Sequence, residues 1–478
     1  MRSLSEHYER IRRDHPADEL CVVFDIDGTI LDTRHLVVHT LLAFDRSRGT
    51  DRFRGLVADD IRHHEDDVEA VVISLGVPGD LRRDLIDFYV DHLWDREALL
   101  QASRPFAGVF GVIRWFALRP GTRVALNTGR PERMRADTLE SLNTVGAAYR
   151  VRFDPEHLLM AEDGVDVPIA KIAGLRELRE RGMRVIAVID NEPENLRAMA
   201  ATDPEGEILF LHADTISESQ RHPHDRTVSG SAYRLGALVA EADLSERVGF
   251  VWHGVNDRVN LERFLSSDVR WAEVDVRRDP LGRLVLRHDS FEETPWHRDE
   301  PTSLAGDAIE ELAKAGRSVK LDLKEGGPAM EEAIDLVRSF GLVDDRLWFN
   351  AELPALGPSG FGRLTEAFPA STFSCPIDAF EPLVLAQAAT SDFVSDLLRG
   401  WGITRISVRW GRHARVLLDE LEGRGWQVNV YDVPDLETFL EACLLLPASV
   451  TADFNFPEWG YLGRGSGARG ALHRYLGE

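Results

Sequence analysis

The chain has 478 residues, with 81 acidic against 56 basic side chains and a formal net charge of −25. That charge opposes nonspecific binding to nucleic acid or anionic lipid, and the length suits two or three domains. Cys21, Cys375 and Cys443 show no metal-binding spacing and cannot all pair, which excludes a disulfide framework. The start, Met1 to Glu6, lacks an apolar core and no stretch reaches membrane-spanning length, so a cytoplasmic protein without a membrane span is expected.

The apolar run Leu20 to Phe24 predicts a buried strand that turns into a loop at Asp25-Ile26-Asp27-Gly28-Thr29. Along a strand, side chains i and i+2 share a face. Asp25 is thus placed to attack a phosphorus while Asp27 reaches the leaving oxygen. Helical periodicity follows over Leu36 to Phe44, Val68 to Leu75 and Leu81 to Leu93. Arg62, His63 and His64 in this region read as a solvated helix face rather than as substrate contacts. A second strand, Val124 to Asn127, ends in Thr128-Gly129-Arg130. The helical pattern Ile169 to Arg181 carries Lys171 near its start. A third apolar strand, Arg184 to Ile189, ends in Asp190-Asn191-Glu192-Pro193-Glu194.

These four segments, in this order, resemble the haloacid dehalogenase superfamily of aspartate-nucleophile phosphatases. The resemblance implies a Rossmann-like α/β domain over residues 1–215, with a helical cap at about 33–104 closing over small substrates. It implies that Asp25 forms an aspartyl-phosphate and that Asp27 acts as general acid, then as base toward water. Thr128 would hydrogen-bond a phosphoryl oxygen, and Lys171 would set a compact cation beside the phosphate. Mg²⁺ would be held by Asp25, Asp190 and the Asp27 backbone carbonyl. Many members place a second Asp in the last motif; here the candidates are Glu192 and Glu194, and Glu194 fits the spacing better.

Ile208 to Leu211 reads as the last apolar strand of the first domain, and the polar stretch Ser217 to Arg226 as a linker, within a connector at 216–246. Its His222 and His224 lack a cysteine or a third partner for a metal. Residues 247–478 alternate strands and helices, enough for a single (β/α)8 TIM-type barrel. Nine strand candidates appear: Phe250 to Trp252, Trp271 to Val276, Leu284 to Arg287, Val319 to Leu323, Leu347 to Ala351, Thr372 to Ser374, Ile406 to Trp410, Val428 to Tyr431 and Val450 to Ala452. The surplus one, Leu284 to Arg287, follows a Pro280-Leu281-Gly282 turn with no helix between, so a hairpin is expected there.

The first four candidates end in His253, Glu273-x-Asp275, His288-Asp289 and Asp322-x-Lys324, where barrel active sites are built. Glu273, Asp275 and Asp322 make three hard oxygen ligands suited to Mg²⁺ or Ca²⁺. The two histidines suit base and acid roles across a phosphodiester, with Lys324 stabilising the phosphorane charge. This half resembles the glycerophosphodiester phosphodiesterase-like superfamily. Where typical members carry Arg after the first histidine, the run here is His253-Gly254-Val255-Asn256, closer to the menorin-type and sphingomyelinase D-type branches. That departure removes a bidentate phosphate contact and leaves glycerol specificity open.

Only four lysines occur, Lys171, Lys314, Lys320 and Lys324, so 56 − 4 = 52 of the basic residues are Arg. Two of the four fall at the two phosphate sites, where a compact ammonium is not replaced by a planar guanidinium. Lys320 has the strand parity to line the barrel mouth or interior, and a plain structural role fits it equally well. The sequence therefore reads as a bifunctional, metal-dependent phosphohydrolase acting on small-molecule phosphate esters. A phosphatase with a non-catalytic binding or regulatory barrel, and a barrel that cyclises a phosphodiester as a lyase, stand as alternatives.

Overall fold

The computed structural model describes residues 1–216, 227–239, 241–296 and 303–453. The expected linker Ser217 to Arg226, with His222 and His224, lies outside the described residues. The chain forms two compact units that divide between Leu238 and Val239.

The first unit holds a parallel sheet of β1 (Leu20–Phe24), β2 (Thr122–Pro131), β3 (Leu158–Ala161), β4 (Arg184–Asp190), β5 (Leu209–Ala213) and β6 (Thr227–Gly230), in spatial order β3-β2-β1-β4-β5-β6. Every residue of β1 is buried, as expected for an unbroken apolar run covered on both faces. Phe24 registers with Leu126 of β2 and with Ile189 of β4. The next residue on each strand is Asp25, Asn127 and Asp190, so the register alone brings these three to one level at the carboxyl edge. Ligands in open α/β sheets bind at that edge. Strand β6 adds an edge strand from the stretch read as connector.

The turn after Asp27 requires glycine. Gly28 has φ 71°, and a Cβ there would lie 2.4 Å from Asn191 Nδ2, too close for any side chain. Between β1 and β2 stand helices Arg34–Arg48, Val68–Ser74, Gly79–His92 and Arg96–Ala102, which match the three periodic segments and extend them. Leu41, Phe44, Val72, Leu85, Tyr89 and Leu99 form an apolar core of their own, at roughly 1.5–3 kcal/mol of transfer free energy per large aliphatic side chain. The cap is thus a built lobe. Arg62, His63 and His64 differ from expectation: they lie in the loop before Val68–Ser74, and Asp67 caps that helix by accepting from the Ala70 backbone N–H (3.1 Å).

The second unit is a closed barrel of eight parallel strands with helices between them. They are β7 (Gly249–Trp252), β8 (Trp271–Arg278), β11 (Ser318–Leu323), β12 (Leu347–Asn350), β13 (Thr372–Pro376), β14 (Arg405–Arg409), β15 (Gln427–Val433) and β16 (Ser449–Ala452). Closure comes from β16 pairing with β7 and β7 with β8. Strand β9 (Leu284–Leu286) pairs antiparallel with β8, and β10 (Ser303–Leu304) pairs with β9, which accounts for the surplus candidate. Inside the barrel, Lys320 is buried with its Nζ 4.8 Å from the Trp348 ring centroid, and Arg405 lies 4.5 Å from the same centroid. Among the described residues no helix is long and apolar enough to cross a membrane.

Candidate functional site

In the first unit Lys171 organises the carboxyl edge of the sheet. It sits on helix Val167–Glu180, which Asn127 ties to β2 by donating from Nδ2 to the Lys171 carbonyl (2.9 Å). Lys171 Nζ lies 2.5 Å from Asp25 Oδ1, 2.8 Å from Asp190 Oδ2 and 2.5 Å from the Asn127 carbonyl. All three partners accept from one ammonium, which is 1% exposed. Gly174 leaves room for this packing, because a Cβ there would meet Asn127 Oδ1 at 2.5 Å.

Burial pushes the Asp25 carboxyl up to about 7; Lys171 opposes the shift, while Asp190 and Asp27 add to it. Burial opposes the Lys171 charge, but Asp190 and Asp25 outweigh it and raise its pKa. Asp190 is fixed by the Glu192 backbone N–H (2.8 Å) and by Asn195 Nδ2 (3.3 Å), both on Oδ1.

Asp27 is gripped differently. Arg130 donates from Nε and from Nη2 to its two oxygens, both at 2.7 Å, a bidentate fork. The Arg130 guanidinium in turn reaches Thr138 Oγ1 (3.2 Å) and lies 5.2 Å from the Trp94 ring centroid. Thr128, buried, accepts from the Arg130 backbone N–H (3.2 Å). Of the two acidic candidates after Asp190, Glu194 is exposed on helix Pro193–Ala200, whereas Glu192 is half-buried with His64 Nε2 at 3.4 Å. His64 lines a cleft with Thr33, Arg34, Val37, Ile61, His63, Glu65 and Ile216. Arg130, Asn195 and Glu65 were not singled out from sequence; Thr-Gly-Arg after the second strand was the only available signal among them.

The barrel centre lies at the carboxyl ends of β7, β8 and β11. Register pairs Asp275 with Asp322, and Glu273 with Lys320. Lys324 Nζ lies 2.8 Å from Asp275 Oδ1 and 2.5 Å from Asp322 Oδ2. Asp322 also accepts from Asn350 Nδ2 (2.9 Å), which is held by Ser374 Oγ (2.6 Å) on Oδ1. Asn256 Nδ2 donates to Asp275 Oδ2 (2.6 Å), and the Gly254 N–H donates to Glu273 Oε2 (2.8 Å). The loop after β7 is therefore threaded onto the carboxylates of β8. Burial opposes ionisation of Asp275, but Lys324, His253 and His288 hold it well below the usual carboxylate range. Burial raises Glu273, with Asp275 adding.

His253 Nδ1 pairs with Asp453, and its Nε2 lies 3.7 Å from Glu273 Oε2. Burial would lower its pKa, yet Glu273, Asp453 and Asp275 together raise it to about 9. His288 pairs through Nδ1 with Asp289 Oδ1 (2.8 Å), and the two imidazole centroids are 6.4 Å apart. At the barrel centre, His253, Glu273 and Asp275 each bring a potential ligand atom within 4.8 Å of the others. Asp322, expected beside Glu273 and Asp275, has its two oxygens held by Lys324 and Asn350. Asp453 escaped the sequence reading because barrel closure, not proximity along the chain, brings β16 beside β7.

No family model matches the chain, and no curated protein matches it. Among solved structures, it is similar to a glycerophosphodiester phosphodiesterase from Parabacteroides distasonis at 15% identity and TM-score 0.34, covering 44% of this chain and 94% of that one. A phosphodiesterase from Oleispira antarctica, in complex with the product sn-glycerol-3-phosphate, is similar at 14% identity and TM-score 0.35, covering 46% and 98%. A putative phosphoglycolate phosphatase from Lactobacillus plantarum is similar at 13% identity and TM-score 0.28, covering 45% and 96%.

Proposed function

We propose that this chain is an enzyme that hydrolyses phosphate esters at two centres: an aspartyl-phosphate phosphomonoesterase in the first unit and a two-histidine phosphodiesterase in the second. Membership of the haloacid dehalogenase superfamily for the first unit, and of the glycerophosphodiester phosphodiesterase-like superfamily for the second, belongs to the same proposal. The observation that carries it is a shared device. In each unit one lysine ammonium sits between two aspartates at the carboxyl ends of parallel strands: Lys171 between Asp25 and Asp190, Lys324 between Asp275 and Asp322.

In the first centre, Lys171 offsets the repulsion between two buried carboxylates and so keeps Asp25 available as an anion. Asp25 Oδ forms a bond to phosphorus as the ester oxygen departs. Asp27, aimed by Arg130, gives that oxygen a proton and then takes one from the water that cleaves the aspartyl-phosphate. Thr128 and Lys171 contact the phosphoryl oxygens. In the second centre His253, kept cationic at neutral pH by its carboxylates, donates a proton to the leaving oxygen, while His288 takes the proton of the attacking water. Lys324 offsets charge that grows on the phosphoryl oxygens.

Both donor sets fit a hard divalent cation: carboxylates of Asp25 and Asp190 with the Asp27 carbonyl in the first, carboxylates of Glu273 and Asp275 in the second. When bound, Mg²⁺ in the first site, and Mg²⁺ or Ca²⁺ in the second, would neutralise phosphoryl oxygens that otherwise repel the nucleophile. Asp322 and Glu194 are further candidate ligands. A cytoplasmic location fits three buried free cysteines.

A panel of monoesters and diesters, with and without chelator, tests the assignment. His253→Ala and His288→Ala should remove diester cleavage and spare monoester cleavage. Diester cleavage that survives both substitutions would make the barrel a non-catalytic module.

A further inference from the structure

The cap cleft contains a buried acid that the proposed chemistry does not use. Glu65 is 6% exposed in the loop before helix Val68–Ser74 and lines the cleft with Thr33, Val37, Ile61, His64 and Ile216. It is held from two directions. Thr33 Oγ1 donates to Glu65 Oε2 (2.9 Å), and Tyr89 Oη donates to the Glu65 backbone carbonyl (2.9 Å). Thr33 stands at the N-cap of helix Arg34–Arg48 yet makes no side-chain cap bond there; its hydroxyl serves Glu65 instead, although threonine at that position ordinarily satisfies a helix N–H. Asp27 is near enough to act on Glu65 electrostatically, and together with burial it raises the carboxyl to about 7, against the effect of His64. Ile216 Cδ1, which lines the same cleft, would lie 3.2 Å from a Cβ on Gly28, and His64 faces Glu192, so the cleft adjoins the loops that follow Asp27 and Asp190.

The cations of the cleft are already matched. Arg34 pairs with Asp32 (2.7 Å) and Asp59 (3.1 Å). His64 faces Glu192 (3.4 Å), Glu65 (3.8 Å) and Asp66 (3.8 Å). A leaving group with its own carboxylate or second phosphate would meet an acid surplus. A carboxyl beside a hydroxyl, in a lining that also holds apolar Val37, Ile61 and Ile216, matches a chain of carbons bearing hydroxyls, because each hydroxyl both donates and accepts.

We infer that Glu65 and Thr33 form the subsite that reads the leaving group, and that the phosphatase centre takes phosphomonoesters of small neutral polyols rather than carboxylated or bisphosphorylated monoesters. The inference rests on the phosphatase reading above. The test is steady-state phosphate release by the full chain with glycerol 1-phosphate, 2-phosphoglycolate and p-nitrophenyl phosphate, for wild type and for Glu65→Gln, which retains an acceptor for Thr33. Wild type should favour glycerol 1-phosphate over 2-phosphoglycolate at least tenfold in kcat/KM. Glu65→Gln should lower the ratio of glycerol 1-phosphate to p-nitrophenyl phosphate at least fivefold, through KM, with an unchanged melting curve. In an Asp25→Asn background, calorimetric affinity for glycerol 1-phosphate should fall by the same factor on adding Glu65→Gln. Preference for 2-phosphoglycolate, or an unchanged ratio and affinity in Glu65→Gln, overturns the inference alone. Wild type that cleaves none of the three esters overturns the phosphatase reading and the inference with it.

Discussion

Lys171→Met replaces the buried ammonium with an apolar group of similar length. It strips a donor from Asp25, Asp190 and the Asn127 carbonyl at once. Breaking a buried ion pair by removing one partner costs about 3–5 kcal/mol. For a unit of this size that loss lowers the melting temperature by roughly 2–4 °C per kcal/mol, measured in chelator so that no cation substitutes for the lysine. The pH dependence follows from Asp25. Its folded pKa, about 7, is raised above the unfolded value, so the stability it contributes is complete below the unfolded carboxylate range and declines as pH rises through 7. Without Lys171, which lowers that pKa, the Asp25 proton is retained to higher pH. Below pH 7 both proteins hold the proton and the difference reflects lost contacts. Above pH 7 the wild type releases it and the variant does not, so the deficit widens by about 1.4 kcal/mol per pH unit. Thermal melts at pH 6 and pH 8 measure this. A deficit under about 1 kcal/mol, or one equal at both pH values, would refute the account of Lys171 as the charge that holds two buried aspartates together.

Three further outcomes follow. Arg130→Met frees the Asp27 carboxylate from its fork and should lower monoester kcat by about 10²–10³, within the range spanned by general acid–base catalysis, while Arg130→Lys, lacking the bidentate geometry, recovers little of it; steady-state phosphate release reads both. Asp453→Asn removes a carboxylate that helps raise His253 to about 9. Because a raised histidine is cationic below its pKa, diester cleavage should fall as pH rises through 9 in wild type, and the variant's alkaline limb should move to lower pH, with an unmoved limb counting against His253 as the acid. Glu273→Gln should weaken binding of Mg²⁺ or Ca²⁺ to the barrel at least tenfold by calorimetry, and chelator should remove diester cleavage from the wild type.

Much of this was legible because local pattern and topology agree. The run Leu20 to Phe24 fixes the central strand, and Asp25 and Asp190 fall together because β1 lies beside β4 in register. The hairpin at Leu284 to Leu286 was legible from a glycine turn without a helix. The residues that escaped owe their roles to contacts distant in sequence. Arg130 meets Asp27 across neighbouring strands, and Asp453 meets His253 only once the barrel closes. His64 read as part of a solvated helix face, yet it lies in a loop beside the buried acid Glu65, which went unremarked, where Thr33 and Tyr89 supply the hydrogen bonds that a buried acid and its backbone need. Asp322 was legible from its place at a strand end, and Asn350, which holds one of its oxygens, comes into reach only through the neighbouring strand.

On the proposed reading, a diester cut in the barrel would become a monoester for the aspartate. Phosphorus NMR of a diester such as glycerophosphoethanolamine, incubated with Mg²⁺ and the full chain, measures it most directly. The account predicts inorganic phosphate from wild type, accumulated monoester without inorganic phosphate from Asp25→Asn, and intact diester from His253→Ala. Inorganic phosphate released from the diester by Asp25→Asn would contradict it.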